Sequence, residues 1–172
     1  MSDILGKVTE QRDFFKGILA KVPGFKGYIE RGDRRMSDKL LRDKIADEFD
    51  TLNQRVSSLQ RELVDQGELA FVGRMENASI KLRQFTDRVR TASYGYAPIF
   101  DAIKIKENEL DRVYQYDYAL LELGDTVRSA IDNVETSIGT DGLDAAIRHL
   151  VNVSQECVDA FNKRTEVMRG IA

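Results

Sequence analysis

The chain has 172 residues, 42% hydrophobic and 32% charged, with 12 Gly, 2 Pro, no Trp and one Cys. That length holds one domain with one sizeable core, and the low Gly and Pro content excludes collagen-like, linker and disulfide-scaffold classes. The 26 basic and 29 acidic residues leave a net charge of −3, and with a pI near 5.3 no nucleic-acid partner is expected, because counterion-driven binding needs a concentrated basic field.

The start of the chain predicts an amphipathic helix over residues 3–22. Ile4, Val8, Phe15, Ile18 and Val22 recur at near-helical spacing, and Leu5, Phe14 and Leu19 widen the stripe. Asp3, Lys7, Glu10, Arg12 and Asp13 interrupt any continuous apolar run of the kind a secretory signal requires. Pro23-Gly24, followed by Gly27, predicts a bend at 23–27.

Residues 28–92 read as a long helical hairpin. Ile45, Phe49, Leu52, Val56, Leu59 and Leu63 alternate spacings of four and three, the signature of a coiled-coil seam. Gln66-Gly67 supplies a glycine stop, and a second such series runs Phe71, Met75, Ala78, Leu82, Phe85, Val89, Ala92. A first helix continuous from Tyr28 would reach about 60 Å at 1.5 Å per residue, so an elongated molecule is expected.

A Tyr-rich loop over 93–101 contains Tyr94, Tyr96, Pro98 and Phe100, and a second hairpin over 102–170 follows. Its first helix carries the seam Leu110, Val113, Asp117, Leu120, Gly124, Val127, Ile131, Val134, Ile138, in which Asp117 and Gly124 are not apolar. Gly139-Thr-Asp-Gly142 closes that helix, with Thr140 or Asp141 as N-cap of a last helix bearing Leu143, Ile147, Leu150, Val153, Cys157, Phe161 and Met168. No period-two pattern persists. The expected fold class is all-α: an elongated bundle of four main helices with coiled-coil-like seams plus an N-terminal amphipathic helix, in a single domain over 1–172.

Catalytic signatures are missing. His149 is the only histidine and Cys157 the only cysteine, too few nitrogen and sulfur ligands for a zinc site, and Ala146 stands where a Glu-x-x-His pair would need glutamate. No phosphate-cradling glycine loop and no nucleophile elbow occur. No enzyme activity, cofactor, metal or catalytic residue is therefore assigned.

Candidate interaction residues are the apolar face Ile4, Val8, Phe15, Ile18 and the loop residues Tyr94, Tyr96, Phe100. Asp117, a carboxylate at a seam position, must find a partner. Phenols of the Tyr94/Tyr96 loop are the expected one, with Arg88 or Arg90 as alternatives. Eight basic against four acidic residues between Lys21 and Lys44 include the candidate basic patch Lys26, Arg31, Arg34, Arg35, Lys39 and Arg42. Asp101 to Asp125 runs the other way, with seven acids and three bases.

Pro23-Gly-Phe-Lys-Gly-Tyr28, Arg34-Arg35, Asp38-Lys39-Leu40-Leu41-Arg42 and Thr91-Ala-Ser-Tyr-Gly-Tyr-Ala97 with Phe100-Asp101 resemble a group of uncharacterised bacterial helical-bundle proteins. The resemblance covers roughly residues 20 to 125, implies an architecture and transfers no catalytic residue. The layout is also similar to that of phage-shock and membrane-remodelling hairpin proteins, which set an amphipathic helix before a long helical hairpin.

The functional expectation is a cytoplasmic, non-enzymatic helical scaffold that acts by self-association, by default as a dimer, or by binding another helical protein. One alternative is a peripheral membrane protein that lays 3–22 on anionic lipid with the basic segment 21–44 as support. A further alternative is a small-molecule-binding bundle with a Tyr/Asp117 site.

Overall fold

The computed structural model describes residues 13, 15–32, 34–92 and 107–171, with side chains described for 13, 15–32, 36–92 and 114–166. All regular structure among them is helical. A first helix, α1, takes in residues 15–21; then follow α2 (Phe25–Glu30), α3 (Arg34–Asp65), α4 (Leu69–Thr91), α5 (Glu107–Ser137) and α6 (Leu143–Ile171).

The seams become the core. Ile45, Phe49, Leu52, Val56, Leu59 and Leu63 of α3 are buried, as are Met75 to Val89 of the α4 series, Leu120 to Val134 of the α5 series and Leu143 to Phe161 of the α6 series. Phe85 sits at the centre, its ring centroid 4.4 Å from Phe49 and 6.3 Å from Phe161.

The polar links along the edges give the helix directions. Between α3 and α4 the partners run in opposite senses, with Arg90 reaching Asp47 and Asp50 at one end and Gln60 reaching Glu76 further along. Between α4 and α6 they run in the same sense: Arg74 to Asp144, Lys81 to Gln155, Arg88 to Asn162. Glu48 to Arg128 and Arg55 to Asp132 and Glu135 set α3 and α5 in parallel too. Two antiparallel hairpins thus lie side by side with like directions facing. Donors at 74, 81 and 88 recur every seven residues, the period at which flanking positions return to the same side of a two-helix seam.

Two boundaries differ from expectation. The bend after Pro23 is tighter: a turn at 22–24 leads straight into α2, so residues 25–27 are helical. The long helix starts at Arg34 rather than at Tyr28, because Gly32 takes a left-handed φ of 71° that ends α2. At 32 residues α3 is about 48 Å long, still well beyond the width of one helix pair.

The α3–α4 turn closes as its residues predict. Gly67, at φ 78°, donates to the Val64 carbonyl while Glu68 donates to Leu63, the paired bonds of a Schellman stop. Neither Thr140 nor Asp141 takes the cap position of α6: the helix begins at Leu143, the Gly142 carbonyl accepts from the Ala146 N–H, and the Thr140 hydroxyl oxygen accepts from the Gly142 N–H within the preceding turn.

Candidate functional site

The other end of the bundle is polar inside. Asp38 and Arg42 lie one turn apart on one face of α3, Asp117 on α5 and Arg164 on α6, and these four side chains are between 0% and 4% exposed. Arg164 grips Asp117 with two bonds, Nε to Oδ1 at 2.5 Å and Nη2 to Oδ2 at 3.2 Å. The same Nη2 lies 3.5 Å from Asp38 Oδ1. Arg42 donates from Nε to Asp38 Oδ2 at 2.9 Å, and its Nη2 lies 2.8 Å from the same oxygen. Two carboxylates and two guanidiniums sum to zero, the condition under which charge tolerates burial.

The neutrality is not matched by full hydrogen bonding. Asp38 Oδ1 has no hydrogen-bond partner among the described residues. Burial in low dielectric pushes the Asp38 carboxyl up to about 6, with the Asp117 charge adding to the rise and Arg42 and Arg164 opposing it.

Aromatic rings roof this cluster. Tyr114, one turn before Asp117 on α5, brings its hydroxyl 3.3 Å from that of Ser37, the residue before Asp38. Its ring meets Phe15 of α1 edge-on at 5.9 Å and Phe25 of α2 edge-on at 5.6 Å. Ile18, Val22 and Phe25 are buried alongside. Gly17 lets the Tyr118 ring approach α1, since a Cβ there would run into that ring.

Several expected site residues are placed differently. Asp117 is buried as its seam position requires, but Arg164 is its partner; Arg88 and Arg90 serve Asn162 and the Asp47/Asp50 pair. Arg42 does not belong to a solvent-facing basic patch, because its guanidinium is turned inward to Asp38. Lys26, Arg31 and Lys39 are exposed, with Arg31 4.7 Å above the Tyr28 ring. Phe15 and Ile18 face their own bundle rather than solvent, Ile18 wholly buried and Phe15 half-buried. Ile4, Val8, Tyr94, Tyr96 and Phe100 lie outside the described residues, as do the side chains of Arg34 and Arg35.

The two residues with classical catalytic side chains stand apart in environment. His149 is exposed, whereas Cys157 is buried and desolvation pushes its thiol up to about 12, which withholds the thiolate a nucleophile needs. Among the described residues no three His, Cys, Asp or Glu side chains are arranged to hold a metal ion. The groove between α3 and α5, about 480 Å³, is lined by Lys21, Lys44, Glu48, Arg55, Asp125 and Arg128 among others, and their charges are largely spent on one another. No described helix is long and apolar enough to cross a membrane.

Apolar surface remains at the opposite end, around the α3–α4 turn. Val64 is 49% and Leu69 65% exposed, the latter the most open large apolar side chain among the described residues. Phe71 and Val72 are half-buried beside them, and Val64 and Val72 border a shallow hollow of about 440 Å³ with Arg61 and Asp65 on its rim. No protein-family model matches the chain, and no curated protein or solved structure matches it.

Proposed function

We propose that the protein is a non-catalytic helical interaction module, a scaffold that associates through the α3–α4 tip, with a second copy of the chain as its partner. The observation that carries this reading is the exposure of Val64 and Leu69 together at one tip, beside the half-buried Phe71 and Val72; Ile80, also exposed, lies further along α4. Two-fold association needs a self-complementary patch. Arg61 and Asp65, one helical turn apart beside Val64, meet that requirement, since a two-fold axis between copies sets the arginine of each opposite the aspartate of the other.

The seams themselves lend association less support, because their described residues are buried or half-buried within one chain. The lipid reading is disfavoured by Ile18, Val22 and Phe25, which would have to leave the core to meet a bilayer. The small-molecule reading is disfavoured by Arg164, which occupies both oxygens of Asp117. Light scattering coupled to size exclusion tests the proposal. Leu69→Glu is expected to turn a dimer into a folded monomer whose melting temperature no longer depends on protein concentration; a chain that is monomeric at tens of micromolar contradicts it.

A further inference from the structure

We propose that residues 15–30 form a strap over the charged end of the bundle, and that a proton on Asp38 tightens it. The inference is independent of the surface used for association.

Among the described residues, the side-chain ion pair that ties the strap to the bundle is an exposed one. Lys21 pairs with Asp125 at 2.6 Å, with both side chains partly exposed, and such a pair contributes little in water. Its main hold is apolar: Ile18, Val22 and Phe25 are buried, and Phe15 and Phe25 press on Tyr114. Tyr114 in turn stands over Ser37, next to Asp38. Lifting residues 15–30 removes these rings and admits water to the end of α3.

Asp38 is the member of the cluster that gains most from that water. Its Oδ1 is buried with no hydrogen bond among the described residues, 3.5 Å from Arg164. Among the described residues, the charged groups facing it are Arg42 from α3, Asp117 from α5 and Arg164 from α6; α2 sends Lys26 and Glu30 outward to solvent instead. Under the strap, desolvation and Asp117 favour the protonated carboxyl over the ionised one. With the strap lifted, hydration returns the group toward its ordinary acidity. Linkage fixes the sign: the closed state binds the proton more tightly, so acid favours closure and rising pH favours release.

Amide hydrogen exchange on the full chain between pH 4.5 and 7, corrected for intrinsic rates, reads this directly. Between an ordinary value of 3.8 and about 6 in the closed state, the opening equilibrium of amides 18–30 is expected to rise roughly tenfold or more across that range. The Lys21–Asp125 bridge is constant there, since hydrogen bonding to Lys21 holds the Asp125 carboxyl below the usual range. In Asp38→Asn the pH slope should vanish. A flat wild-type response, an unchanged slope in the variant, or strap exchange that merely tracks the core amides of Leu82 and Leu150 would overturn the proposal. Should Asp38→Asn not fold, the carbon-13 titration of the Asp38 carboxyl in the wild-type chain decides: a midpoint near 6 shared with the opening of amides 18–30 supports the strap, and a midpoint near 3.8, or one that the strap amides do not follow, overturns it.

Discussion

Arg164 serves two carboxylates at once, and that sharing decides which substitutions at the charged end are tolerated. Replacing it with methionine leaves Asp117 and Asp38 buried beside a single guanidinium. Arg164→Met should therefore cost about 3 to 5 kcal/mol by chemical denaturation, while Asp117→Leu combined with Arg164→Met should cost less than Arg164→Met alone. Cys157 gives a second check at this scale. With its thiol pushed up to about 12 by burial, it should resist maleimide at neutral pH and become reactive only along the unfolding transition. The cluster was partly legible in the sequence. Stepping back from Ile45 by three and four reaches Arg42 and Asp38, and stepping on from Phe161 reaches Arg164 before Met168. A search that follows apolar residues stops short of these positions, so Asp117 appears as a lone polar residue although its partner occupies the matching seam of another helix. Which of several arginines turns inward depends on tertiary proximity, and seam spacing alone does not specify it.

Helix pairing separates interactions that stabilise from those that orient. Arg74, Lys81 and Arg88 form a seven-residue ladder from α4 to α6. Such exposed links contribute about 0 to 1 kcal/mol each, enough to favour one register but little else. Arg88→Ala should lower stability by less than about 1 kcal/mol, whereas Phe85→Ala, which empties the space between Phe49 and Phe161, should cost about 3 to 5 kcal/mol. The same contrast explains what could be read beforehand. Strict four/three spacing located the long helices and their buried faces, and Gly67 located a stop, because those depend on local conformation and burial. The parallel juxtaposition of the hairpins was not legible. It depends on which hairpin face meets which, and the seam pattern is equally consistent with other pairings. The start of α3 was misplaced because a single glycine, Gly32, interrupts a pattern that otherwise continues.

At the scale of the molecule, the described seam residues are buried or half-buried within one chain, and an apolar tip is left beside the α3–α4 turn. Residues 15–30 pack as part of the bundle: Ile18 and Val22 were identifiable as an apolar face, but not whether that face met the bundle, a second copy or lipid. Burial assigns it to the bundle. That assignment moves the proposed contact surface from the N-terminal helix to Val64 and Leu69, two residues that a seam reading treats as incidental. The measurement that tests this most directly is sedimentation equilibrium of the full chain beside Leu69→Glu and Val64→Glu, at tens of micromolar and neutral pH. A wild-type dimer that both substitutions reduce to a folded monomer is the predicted result. A wild-type monomer, or a dimer that neither substitution disturbs, would contradict association through the tip.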